Sequence, residues 1–257
     1  MNVHPSAIVH PKAQLDSTVE VGPFSVIGEH VQVEKGTKIG AHVVIDGWTR
    51  IGENCLFFPF SSIGMGPQDL KYKGGETRLR IGRENTIREY VTLNRGTEEG
   101  GGETVIGDKN FFMAYVHVAH DCFIGNEVVM ANAATLGGHI TIGDHAILGG
   151  LVGVHQFVKI GSYAIVGGCS AVAQDVPPFV SVAGNRAKLY GLNLVGLKRH
   201  GFTKKRIDAL KGAYSLLFRS RLTMREAIKQ ARNKWGDIPD VEALVSFVEN
   251  AERGICR

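Results

Sequence analysis

The sequence predicts an all-β solenoid plus α: short strands joined by tight turns over residues 1–185, then an α-helical C-terminal domain over residues 186–257. Three observations predict it. Every sixth residue is apolar through two long runs, glycine recurs directly after those positions, and both patterns stop at Val176-Pro177-Pro178, beyond which the spacing turns helical. The 33 glycines in 257 residues are nearly twice the share of roughly 7% usual in proteins, so the fold uses glycine systematically.

The first run is Leu15, Val21, Ile27, Val33, Ile39, Ile45, Ile51, Phe57 and Ile63, resuming as Ile81, Ile87 and Leu93. The second, in shifted register, runs every six residues from Ile106 to Val172. All 24 sampled positions are apolar. A helix repeats at 3.6 and an amphipathic strand at 2, so a period of six with adjacent glycine calls for short strands and tight turns. The fifth position of each hexad is usually small, and Cys55 and Cys122 occupy that slot. Such hexads resemble the hexapeptide family, a resemblance that implies a left-handed parallel β-helix with three hexads, or 18 residues, per coil. About eight full coils are expected, plus an N-terminal start near Ile8.

The register breaks twice, so segments at about 65–80 and 95–104 should leave the coil as loops. The glycines at 100–102 read as a flexible tip, because no phosphate-binding G-x-x-x-x-G-K sequence surrounds them. Past the prolines, Gly191 to Arg199, Thr203 to Phe218, Thr223 to Trp235 and Val241 to Glu249 read as helices, with Thr203 and Thr223 as N-caps.

Composition narrows the function classes. The chain carries 29 Lys+Arg against 25 Asp+Glu, and no stretch approaches the roughly 18 apolar residues of a spanning helix, so a cytoplasmic protein with no stable membrane insertion is expected. The four cysteines are scattered without a C-x-x-C pair, which argues for reduced thiols and against structural zinc. From Arg186 onward there are 16 basic and 7 acidic side chains, including Lys204, Lys205 and Arg206. Such a module suits an acidic protein partner or a phosphorylated ligand; nucleic acid is not expected, since no aromatic platform accompanies the charge.

In a coil of 18 residues, positions 18 apart stack one strand spacing apart, roughly 4.8 Å. His120, Gly138 and Gln156 therefore share one ladder, with His139 and His155 in neighbouring slots and His117 ending the preceding hexad. Two chemistries could use this cluster. Three imidazoles could hold zinc, as in the carbonic anhydrases built on the same helix, or one imidazole could act as a metal-free general base. Asp121 beside His120 favours the base, and Gly138 would let a backbone N–H approach an oxyanion. No Ser or Cys in the cluster invites a covalent intermediate, so direct transfer is simpler.

VHVAHDCFIGN at 116–126, QDLKYKG at 68–74, GVHQF at 153–157, VGGCSAVAQDVPP at 166–178 and GLKRHGF at 196–202 resemble the UDP-N-acetylglucosamine acyltransferases that begin lipid A synthesis. The resemblance spans essentially the whole chain. It implies transfer of an (R)-3-hydroxyacyl group from acyl carrier protein to the 3-OH of UDP-N-acetylglucosamine, without cofactor or metal, in a homotrimer with active sites between adjacent helices. It further implies His120 as base, Asp121 as its orienting partner and the Gly138 amide as oxyanion donor. Asp69, Lys71, His117, His139 and Gln156 would bind the sugar nucleotide and reacting groups, with His155 close by. Asn193 and Arg199 match nucleotide-side positions, and Gly168 matches the end stop of the acyl groove, where glycine leaves room for a long tail.

The chain departs from the family at three places. The common THRG reads Thr92-Leu93-Asn94-Arg95-Gly96, which leaves a UDP-2,3-diamino sugar open as acceptor. Val195 stands where the best-known members have Glu, and His200 where they have a second Arg.

Overall fold

The computed structural model describes residues 2–257. Two-residue strands alternate with four-residue connections, and away from the two loops each strand hydrogen-bonds to the strand 18 residues on, as in Phe111↔Val129, His117↔Thr135 and Phe123↔Thr141. The result is a left-handed parallel β-helix of triangular section. Its first face runs from Asn2–Val3 to Ile165–Val166, its second from Ile8–Val9 to Ala171–Val172, and its third from Gln14–Leu15 to Lys159–Ile160. Eight coils are complete and a ninth has two strands. The first strand, Asn2–Val3, precedes the expected start at Ile8 by one hexad.

Within each strand the second residue points inward. Ile27, Ile45, Ile63, Leu93, Val118, Leu136, Val154 and Val172 form one such column, each at most 5% exposed. A fully buried side chain of this size contributes about 1.5–3 kcal/mol, so the stacked columns, with smaller buried residues such as Val43, Val91 and Ala134 beside them, hold the prism. Glycine after the inward residue is steric: a Cβ on Gly52 would lie 2.7 Å from the backbone of Gly82 in the next coil. Burial pushes the Cys55 thiol up to about 11 and that of Cys122 to about 12, so both act as small apolar fillers.

From the second coil on, most corners turn on a left-handed residue, as Tyr115 (φ 65°), Asp121 (φ 58°) and Glu127 (φ 54°) do around one coil. Because none is glycine, each costs about 1–2 kcal/mol, offset by the ladder hydrogen bonds on either side. The corner residues stack 18 apart into three edges along the prism.

Both loops emerge at the edge between the second and third faces. Ser62 pairs with Thr92, thirty residues on, and Thr92 with His117, twenty-five on, so twelve and seven residues leave the coil. The loops occupy 66–77 and 95–102, shorter than expected because the flanking strands Ser62–Met65, Arg78–Ile81, Thr92–Asn94 and Glu103–Ile106 continue the ladder into them.

The prolines do not end the sheet. Val180–Ala183 adds to the first face parallel to Ile165–Val166, and Lys188–Leu192 folds back antiparallel on it. The helix expected from Gly191 therefore begins later, as α1 (Leu194–Arg199), with Asn193 as N-cap. Three longer helices follow: α2 (Lys204–Arg219) capped by Thr203, α3 (Met224–Trp235) with a Thr223–Glu226 capping box, and α4 (Pro239–Glu249). The last starts two residues before Val241, because Pro239 is suited to the first turn. The expected basic patch is partly spent internally: Arg206 makes a two-pronged contact with Asp240 at 2.6 and 2.7 Å, and Lys204 pairs with Asp208. No helix among the described residues is long and apolar enough to cross a membrane.

Candidate active site

The histidine cluster and both loops share the edge between the second and third faces. At its centre, the Asp121 carboxylate accepts three hydrogen bonds: from the Thr97 backbone N–H at 2.9 Å, the Thr97 hydroxyl at 2.7 Å and His120 Nδ1 at 2.8 Å. Its own N–H donates to Thr104 Oγ1 at 2.8 Å. The Asp121 side chain is 1% exposed and that of His120 11%, so the pair is nearly dry. An ionised carboxylate can only accept, hence Nδ1 donates to it, and in the neutral ring Nε2 keeps a free lone pair.

The ring of His120 lies over Gly138, where a Cβ would fall 2.5 Å from Cε1 and 2.7 Å from Nε2. Glycine is required there because any side chain would displace the imidazole. The Gly138 carbonyl accepts the Phe157 N–H, whereas its own N–H has no acceptor among the described residues. A proton acceptor and an unused N–H donor thus sit side by side.

His139 is held between neighbours, edge-on to His120 at 5.1 Å and stacked on Phe157 at 4.5 Å. His117 Nδ1 contacts Thr92 Oγ1 at 2.6 Å. Burial, and to a smaller degree the nearby charge of His120, holds the His117 ring below the ordinary 6.5. His155 and Gln156 lie exposed one coil further on, with His155 Nδ1 against the Gln156 carbonyl at 3.1 Å. His120, Asp121 and His139 are the group among the described residues whose ligand atoms, all within 4.8 Å, could share a metal ion.

The first loop reaches this edge through the second. Arg95 donates to Tyr72 Oη at 2.9 Å, the Gly75 N–H donates to Glu98 Oε1 at 2.7 Å, and Lys71 Nζ lies 4.0 Å from Glu99. Asp69 shapes the loop locally, accepting the Lys71 N–H. Asn94 is 4% exposed; its amide nitrogen donates to the Gly66 carbonyl at 2.8 Å, and its Oδ1 has no partner.

Other expected residues lie elsewhere. Gly168 is exposed on the edge between the first and second faces. Asn193 and Arg199 border the edge between the third and first faces, where the Asn193 amide donates to the Tyr163 carbonyl at 2.9 Å and its Oδ1 caps α1 by accepting the Gly196 N–H. Asn193 is thus engaged within the chain, whereas Arg199, in the last turn of α1, is exposed. His200 packs against His145 and Tyr163 at the same edge. Sequence reasoning missed Thr97, Thr92 and Tyr72. Of the glycines at 100–102, expected as a flexible tip, Gly100 is packed against Asp121, since a Cβ there would overlap the carboxylate, whereas a Cβ on Gly101 or Gly102 would meet nothing within 4 Å.

A family model described as UDP N-acetylglucosamine O-acyltransferase, domain 2, matches residues 175–256. The chain is 54% identical over 255 residues to the acyl-(acyl-carrier-protein)–UDP-N-acetylglucosamine O-acyltransferase of Thermodesulfovibrio yellowstonii, covering 99% of both chains. Among solved structures it resembles LpxA from Acinetobacter baumannii, with a TM-score of 0.96, 44% identity and 99% coverage of both chains. It also resembles the UDP-N-acetylglucosamine O-acyltransferase from Moraxella catarrhalis, with a TM-score of 0.97, 41% identity and full coverage of each.

Gly138→Ala should push the His120 ring aside and lower turnover by about a hundredfold, the cost typical of a misplacement near 1 Å. Steady-state kinetics beside a thermal melt checks this, and unchanged turnover would contradict it. In an NMR titration, His117 should hold its neutral form to lower pH than an ordinary imidazole. Because the unfolded chain binds that proton more tightly, His117 has no effect on stability well above pH 6.5 and lowers it as pH falls below that value.

Proposed function

The chain belongs to the UDP-N-acetylglucosamine O-acyltransferase family, and from that premise we propose how its own residues carry the reaction. It transfers an acyl group from acyl carrier protein to UDP-N-acetylglucosamine, the first step of lipid A biosynthesis. In our reading the group is an (R)-3-hydroxyacyl chain and the acceptor atom is the sugar 3-OH. The observation that carries the mechanism is the buried His120–Asp121 pair, whose Nδ1 contact leaves Nε2 beside the unused Gly138 N–H.

Nε2 takes the proton of the 3-OH as its oxygen attacks the thioester carbonyl. The new C–O bond forms and the carbonyl oxygen becomes an oxyanion, which the Gly138 N–H stabilises. The C–S bond then breaks, and the imidazolium returns the proton to the departing thiolate. Asp121 fixes the tautomer and supports the cation while it exists. His117, His139 and Gln156, with Asp69 and Lys71 on the adjoining loop and His155 nearby, would hold the sugar nucleotide, and Arg199 suits the diphosphate.

His120, Gly168 and Arg199 stand on three different edges of one prism, so a single copy cannot bring all three to one substrate. This supports the homotrimer, with each site lying between the base edge of one copy and the other edges of its neighbour. Lys205, which has no acidic partner among the described residues, together with Arg199 is the more available part of the basic tail for the acidic carrier protein. We propose the cytoplasm as the compartment, consistent with four free cysteines.

A zinc centre of the carbonic-anhydrase type is the alternative the metal-capable trio raises. Here the third ligand would be a carboxylate whose oxygens already accept three hydrogen bonds, so zinc would have to break that arrangement.

His120→Ala should lower turnover by roughly 10² to 10⁴ with the oligomer intact, measured by mass spectrometry of products from a panel of acyl carrier proteins offered UDP-N-acetylglucosamine and its 2,3-diamino analogue. Full activity in the variant would sink the base assignment, and loss of wild-type activity in EDTA with recovery on zinc would favour the metal. Gly168→Met should shift preference from hydroxymyristoyl-sized toward shorter chains, each excluded methylene being worth about 0.8 kcal/mol. A Cβ there meets only the Gly150 backbone, its carbonyl oxygen at 3.2 Å and its nitrogen at 3.8 Å, so a small shift should accommodate it; equal loss on all chain lengths would mean Gly168 is no ruler.

A further inference from the structure

We propose that Thr97, in the loop at 95–102, is a positioning residue for acyl transfer: it sets the rotamer of Asp121 and thereby the orientation of His120. The proposal rests on the assignment of His120 as base.

Asp121 sits on a left-handed backbone corner, so its side chain projects from the edge and needs external contacts to fix it. Thr97 supplies them. Its N–H reaches one carboxylate oxygen, Oδ1, at 2.9 Å, and its hydroxyl reaches the other, Oδ2, at 2.7 Å. The same hydroxyl oxygen accepts the Gly100 N–H at 3.0 Å, which leaves its proton directed to Asp121. The Thr97 carbonyl accepts the N–H groups of Gly100 and Gly102, closing the loop on itself. Thr97 is 5% exposed, so water does not compete for these bonds.

Gly96 and Gly100 let the loop come this close. A Cβ on Gly96 would fall 2.8 Å from Oδ1, and one on Gly100 would overlap Oδ2. With both oxygens gripped from the loop side, the carboxylate presents Oδ2 to His120 Nδ1 at 2.8 Å. The loop also reaches the segment bearing Asp69 and Lys71, through Glu98 and Arg95. Seven residues inserted into the coil just below His120 thus serve to clamp the carboxylate that orients the base.

Thr97→Val keeps the shape and the backbone donor but removes the hydroxyl. It should lower kcat about tenfold, the scale of one hydrogen bond to a charged group, with KM for the sugar nucleotide within about twofold of wild type. Thr97→Ser, which restores the hydroxyl, should return kcat to within about twofold. In an Asp121→Asn background, Thr97→Val should cost less than about twofold more, because its effect passes through that carboxylate. Wild-type kcat in Thr97→Val, or the same loss in both backgrounds, overturns the proposal. Should His120→Ala itself remain fully active, the base assignment falls, and with it this role. An inactive His120→Ala beside a fully active Thr97→Val defeats only the role of Thr97.

Discussion

The interaction everything else depends on is the coil-to-coil hydrogen bonding that repeats every 18 residues. Strands of two residues have no stability alone, so each is held by the strand before it and the one after it, over an inward column of Ile, Val and Leu. This constraint fixes which residues can meet. Side chains 18 apart share an edge, side chains six apart face different directions, and a loop can be inserted only at a corner, where the ladder is not interrupted. Both loops obey it, leaving at the same edge and returning in register, so that Leu93 still pairs with Val118.

That edge becomes chemically useful through burial. A carboxylate withdrawn from water is costly unless its lone pairs are matched, and Asp121 is matched by three donors while only 1% of its side chain is exposed. The compensation is directional, since His120 donates from Nδ1, which in the neutral ring leaves its lone pair at Nε2. Gly138 completes the arrangement by lacking a side chain, giving the ring space and leaving a backbone N–H beside it. His139, wedged against Phe157, limits the ring from the other side.

Much of this was legible in the sequence, for a physical reason. Hexads announce themselves because the inward residue must be apolar in every coil, and the 18-residue stack then brings His120, Gly138 and Gln156 to one ladder. Thr97 was illegible because it lies in inserted residues that belong to no register; the glycines around it look like flexibility but serve close approach to a carboxylate. The strands at Val180–Ala183 and Lys188–Leu192 escaped because they add to the sheet outside the period. Asn193 shows a second use of such a residue: its Oδ1 caps the helix that follows, while its amide nitrogen holds the Tyr163 carbonyl.

The same geometry distributes the proposed site over three edges, with the base on one, Gly168 on the second and Arg199 beside the third. The central claim is that neighbouring copies complete one another's sites. It is tested most directly by refolding His120→Ala and Arg199→Ala chains together at equal amounts and measuring acyl transfer at low sugar-nucleotide concentration. If the two residues come from different copies, random mixing in a closed ring restores about a quarter of the sites to wild-type composition, and activity should rise to that fraction. If activity stays at the average of the two separate variants, both residues act from one chain and the account of a shared site is wrong.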